Sequence, residues 1–127
     1  MIDAATRRRV RSRAENRCEY CGLPQEADRF FRFHIEHIVP KQHDGTDDLW
    51  NLALACHHCN LHKGPNLAGI DPYTGQMVPL FNPRAQRWDD HFEIQGTWIA
   101  GRTPIGRATV RVLSMNADEQ RELRARL

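Results

Sequence analysis

The sequence predicts an α+β fold: a small ββα core opened by an N-terminal helix and followed by an extension of one hairpin and two helices. Three observations predict it. Two Cys-x-x-Cys pairs, Cys18 with Cys21 in RCEYCG and Cys56 with Cys59 in ACHHCN, bracket one stretch of chain. Between them, two runs of alternating apolar residues flank a polar loop, which reads as a strand pair. After the second pair, a short helical segment stops at Gly64-Pro65. A chain of 127 residues suffices for one small domain, or one core plus an extension. The texture changes after Pro65, so the core is placed at 1–65 and the extension, packed on it, at 66–127.

The elements follow in order. Residues 4–16 form a helix rich in Arg and Ala. Residues 29–36 (RFFRFHIE) alternate as a strand, with Phe31, Phe33 and Ile35 on one face and Arg32, His34 and Glu36 on the other. Ile38, Val39 and Pro40 end it, and residues 41–48 make a polar loop turning at Gly45. Trp50, Leu52 and Leu54 restart the alternation, and residues 56–64 run from a knuckle into a helix. Beyond Pro65, DPYTG and NPR are turn signals. Residues 91–94 and 97–99 flank Gln95-Gly96 as a hairpin. Thr103 caps a helix with Pro104 at its first position, running to about Leu113. NADE at 116–119 reads as a capping box with Asn116 as the cap of a last helix.

All four cysteines fall in the two pairs. The opening MIDAATRRR lacks the apolar stretch of a secretion signal, and no long apolar run exists, so an intracellular protein without a membrane span is expected. In a reducing compartment paired cysteines favour a metal over disulfides. A thioredoxin-like redox site would explain one pair, but not two, and no βαβ pattern surrounds them. Four thiolates in two close pairs supply what tetrahedral zinc takes. The formal charge of +2 is too small to identify a partner. Its distribution says more: Arg7, Arg8, Arg9, Arg11, Arg13 and Arg17 crowd the N-terminal stretch with Glu15 as the sole acid among them. Such a cluster suits a polyanion, or a solvated helix face.

The ordered set CxxC, EHIVP, GxDDLxNL, CxxCN and Lys63 resembles the HNH endonucleases, of the ββα-metal (His-Me finger) group, over residues 18–63. LFNPRAQRW, HFEIQG and TPIGRATVRVLSMN resemble an extension of some bacterial HNH proteins. The resemblance implies a DNA phosphodiester hydrolase with one catalytic Mg²⁺ or Mn²⁺ beside a structural Zn²⁺, giving 5′-phosphate and 3′-hydroxyl ends. It implies His37 as the base that takes a proton from water, a task suited to imidazole with its ordinary pKa of about 6.5. Glu36 and Asn60 become ligands of the catalytic ion; a carboxylate oxygen suits a hard cation. Asn60 stands where many members carry His, making this an H-N-N variant. Asn51 becomes the support that bonds loop backbone and steadies the base. Lys63, Arg7, Arg8 and Arg11 are then phosphate contacts. Adjacent strand residues leave opposite faces, so convergence of Glu36 and His37 calls for a bend near Ile38-Val39-Pro40. His34, His43, His57, His58 and His62 are further candidates for substrate or metal contact. The rival reading is a non-catalytic, zinc-stabilised nucleic-acid-binding or accessory module, which fits the cysteines and arginines equally well.

Overall fold

The computed structural model describes residues 2–127. Helix α1 spans Ala4–Arg13, started by Asp3, whose carboxylate accepts from Thr6 N at 2.7 Å. It stops three residues before the expected end, because Glu15 and Asn16 turn into the left-handed region (φ 54° and 59°) to swing the chain into the first knuckle. Strand β1 covers His34–His37, not residues 29–36. The reason is local. Asp28 Oδ1 accepts from Phe30 N and Phe31 N at 3.0 Å each, and the Gln25 amide holds Phe31 O and Phe33 N. Side chains thus claim backbone groups that a strand would give to its neighbour.

Strand β1 pairs antiparallel with β2 (Leu52–Ala55), setting Ile35 opposite Leu54 and His37 opposite Leu52. All four residues of β2 are buried, while Trp50 lies before it in a 3₁₀ turn and is exposed. Helix α2, His57–Lys63, is capped by Cys56 Sγ, which accepts from Cys59 N at 3.3 Å. It ends at Gly64, whose φ of +49° suits glycine. Strand, strand and helix make the expected ββα unit in an α+β fold.

The extension adds a hairpin that the turn signals alone had not revealed, β3 (Ala68–Ile70) with β4 (Met77–Pro79). It continues through α3 (Trp88–His91) and the hairpin β5 (Phe92–Gln95) and β6 (Trp98–Gly101). That hairpin turns at Gly96-Thr97, one residue later than expected, where Gly96 supplies a φ of +64°. Helix α4 (Pro104–Val112) is capped by Thr103 Oγ1 on Gly106 N, as the sequence indicates. Helix α5 (Asp118–Ala125) starts at Ala117 with no side-chain cap. Asn116 is not the cap: its amide exchanges two hydrogen bonds of 2.9 Å with the backbone of Ile99 and clamps β6.

Core and extension share one interior. Phe81, Phe92, Ile99, Leu113 and Met115 bury in the same cluster as Val10, Tyr20, Leu52 and Leu54. Polar ties cross the same seam. Arg84 pairs with Glu19, Trp88 Nε1 donates to Tyr20 O at 2.7 Å, and His58 Nε2 meets Ser114 O at 2.8 Å. Among the described residues no helix is long and apolar enough to cross a membrane.

Candidate metal centres and active site

The four cysteines converge. Their sulfurs all lie within 4.8 Å of one another, buried, with Cys21 Sγ 3.8 Å from Cys56 Sγ. Sulfurs about 2.3 Å from a tetrahedral ion stand about 3.8 Å apart, so the donors fit structural zinc. The thiols also perturb one another electrostatically. Although burial pushes it up, the Cys18 thiol is drawn well below its ordinary value by hydrogen bonds from Cys21, Cys56 and Cys59. The Cys59 thiol is driven well above its ordinary value, first by its contact with Cys18. A dense set of sulfurs that holds one thiolate against its neighbours is relieved by a bound positive charge.

Glu36 leaves β1 toward the interior and is 6% exposed. Its Oε2 accepts from Tyr20 OH at 2.7 Å, and its Oε1 lies 2.6 Å from Lys63 Nζ. The ammonium stands at ion-pair distance from Oε1 without an aligned hydrogen bond to it. Burial pushes the Glu36 carboxyl up, and Lys63 and the Tyr20 hydroxyl pull it back. Burial, then the Glu36 charge, hold Tyr20 protonated as the donor.

Lys63 is therefore not open to a phosphate. It is 2% exposed, and its ammonium also donates to the carbonyls of Ile38 (3.1 Å) and His37 (3.4 Å). A long stem laid under α2 buries the charge where Glu36 compensates it. Asn60 sits three residues before Lys63 on the same helix face, half-buried.

His37 closes β1. The register runs unbroken through Glu36 and His37, so these side chains leave opposite faces, and the bend comes only after His37. His37 Nε2 lies 2.7 Å from Asp47 Oδ1, and Lys41 Nζ stands 3.0 Å from the same oxygen. The hydrogen bond to His37, then that to Lys41, hold the Asp47 carboxyl well below the usual carboxylate range, so it is ionised. The loop carrying Asp47 is fastened from inside. Asn51, 1% exposed, accepts from Val39 N at 2.9 Å and donates to Val39 O at 3.0 Å and Thr46 O at 2.8 Å. Gly45 lets the limbs touch, since a Cβ there would fall 1.6 Å from Val39 O. Asn51 thus bonds loop backbone on either side of His43 and Gly45.

The arginines divide. Arg7 and Arg8 are exposed. Arg11 and Arg13 are partly spent on backbone: Arg11 on Phe33 O at 2.7 Å, Arg13 on Leu49 O and Leu52 O at 2.9 and 2.6 Å. His34 Nε2 meets His57 Nδ1 at 3.2 Å, His62 leans on its own helix, and His43 is exposed. Two residues at the site carried no role from sequence alone. Asp47 lies in the GTDDL motif, ten residues from His37; an acid in the loop that returns to a histidine was its signal. Tyr20 had none beyond its place inside the knuckle.

Residues 18–66 match the HNH endonuclease family, a segment that contains the 18–63 stretch carrying the motifs. Over 107 residues, 81% of this chain, the sequence is 27% identical to Septu protein PtuB of Bacillus thuringiensis. The chain spans 38% of that protein's length. No solved structure matches.

Proposed function

We propose that this protein is a metal-dependent HNH endonuclease that hydrolyses DNA phosphodiester bonds, with His37 as general base. The contact of His37 Nε2 with ionised Asp47, on a loop fastened by Asn51 and within the matched segment, supports this most directly. A carboxylate on Nε2 fixes the tautomer that carries its proton there, leaving the Nδ1 lone pair to take a proton from water. As that proton arrives, Asp47 stabilises the imidazolium. Asp47 is a positioning residue. Glu36 and Asn60 are the donors for a divalent ion, Mg²⁺ or Mn²⁺. The Lys63 ammonium already neutralises Glu36 at Oε1, so a divalent ion there would share the carboxylate with it. An ion held there would neutralise charge on the phosphate oxygens and on the departing 3′ oxygen. Arg7 and Arg8, both exposed, would meet phosphates, Arg7 with its Nε on Ile2 O, whereas Lys63 contributes through Glu36. Zinc in the four-cysteine cluster holds the knuckle, and with it Tyr20 and Glu36, in place.

The test is nicking of supercoiled plasmid with Mg²⁺, Mn²⁺ or a chelator, beside His37→Ala. The wild type should nick only with a divalent ion, and the variant should bind DNA yet fail to cut. A variant that nicks at the wild-type rate overturns the base assignment. One observation favours a second reading, a non-catalytic DNA-binding or accessory module: both oxygens of Glu36 already have partners. DNA binding without nicking under any divalent ion would establish it.

A further inference from the structure

We infer that the loop Arg29-Phe30-Phe31-Arg32, with the groove behind it, receives an unpaired nucleobase of a DNA strand. The inference rests on the nuclease reading for its ligand class and adds what that enzyme acts on: DNA with bases out of the stack.

Phe30 is 89% exposed and Phe31 is 48% exposed. Leaving a Phe ring in water forgoes roughly 1.5–3 kcal/mol of burial, so a chance loop would fold it away. This loop cannot. Asp28 and Gln25 fasten its backbone at four points: Asp28 Oδ1 accepts from Phe30 N and Phe31 N, and the Gln25 amide donates to Phe31 O and accepts from Phe33 N. The exposure is thus built in. Phe31 lies flat on His57, ring centroids 4.0 Å apart and planes within 4°, and His57 in turn meets His34 of β1. The rings form a braced platform at the head of the strand that carries Glu36 and His37. Behind it runs a groove of about 380 Å³ lined by Phe30, Phe31, Leu61, His62 and Leu123.

Charge selects the occupant. Arg29 and Arg126 line the groove, and Arg32, with Arg7, lies close enough to Arg11 to repel it. Of the acids lining the groove, Asp28 is engaged by backbone N–H groups, and Glu119 sits in the first turn of α5 close enough to His58 to favour its charged form. Flat aromatic faces rimmed by guanidinium groups match a base with its phosphates. Proteins hold single strands in this way, at roughly 1–3 kcal/mol per stacked base. In a duplex the same base faces are covered by neighbours, so duplex binding would use the arginines alone.

The experiment uses the zinc-loaded chain with Ca²⁺ replacing Mg²⁺. It compares anisotropy of a labelled oligothymidylate and a duplex of equal length, and fluorescence of 2-aminopurine set within a single strand. The wild type should prefer the single strand and change the 2-aminopurine emission. Phe30→Ala, at a residue with little to lose in folding, should weaken single-strand binding about tenfold. It should leave duplex binding unchanged, and Phe30→Trp should restore the single strand. Equal loss on both DNAs, or wild-type affinity in Phe30→Ala, overturns the inference and leaves the loop as a surface for an apolar protein segment. Plasmid nicking is read separately. No nicking with Phe30-dependent strand binding sinks the nuclease reading and supports the base site; nicking without Phe30 dependence does the reverse.

Discussion

Replacing Asn51 by alanine should loosen the loop that returns to His37 while leaving the cysteines untouched. The Asn51 amide makes three buried hydrogen bonds, of 2.8 to 3.0 Å, to Val39 and Thr46. Each such bond contributes about 1 kcal/mol net, so their loss should cost about 3 kcal/mol. A small domain has only roughly 5–15 kcal/mol in all. With a urea dependence of about 1–3 kcal/mol per molar, the unfolding midpoint should fall by about 1–3 M, at fixed free zinc so that metal binding does not shift the baseline. Below the transition, zinc content should match the wild type. Nicking should slow in kcat more than KM rises, because in the proposed mechanism the freed segment carries Asp47, which would orient the base instead of binding DNA. A midpoint change worth less than about 0.5 kcal/mol would refute the clamp. A full loss of stability with wild-type kcat would refute its link to His37.

Gly45→Ala should have a related effect, since its Cβ would meet Val39 O at 1.6 Å; thermal denaturation should show a lower Tm and nicking should weaken, and a neutral variant would contradict the close approach. Lys63→Met should cost about 3–5 kcal/mol by leaving Glu36 buried and uncompensated. The double change Glu36→Gln with Lys63→Met should recover much of that, and strict additivity in denaturation would deny the pair. Cys56→Ser should lower zinc content by metal analysis and folded yield together; a stable, zinc-free variant would remove the scaffold role. Burial draws His34 and His58 below the ordinary histidine value, so the unfolded chain takes up protons that the folded chain refuses. Their contribution is present above about pH 6.5 and is lost as pH falls through the lowered folded values. Denaturation midpoints should drop on acidification, less so in His34→Gln/His58→Gln; identical profiles would count against it.

The cysteine cluster and the Asn51 clamp were legible because metal and loop motifs fix residue type and spacing together: the sulfurs converge, and the Asn51 amide bonds loop backbone. Thr103-Pro104 was legible because a cap is a local interaction. Long-range partnerships were not. Nothing at Lys63 says whether its ammonium turns outward to phosphate or inward to Glu36; burial under α2 decides it. Alternation in RFFRFHIE fits a strand until Asp28 and Gln25, both upstream, claim its backbone. Asn116 has the chemistry of a cap, yet its amide does more on β6. The hairpin β3–β4 carries three residues per strand and little burial, so no periodicity announces it.

The knuckle between Cys18 and Cys21 contains Glu19 and Tyr20, and the extension grips both. Arg84 neutralises the carboxylate of Glu19, whose other oxygen accepts from Leu54 N, and the Trp88 indole anchors the Tyr20 carbonyl. The stretch 18–66 consequently takes polar partners and apolar cover from the extension. Transplanted alone into a host scaffold, it would strand the Glu19 charge and bare the faces that Phe81 and Phe92 cover, so an engineer who moves this module must move its buttress with it.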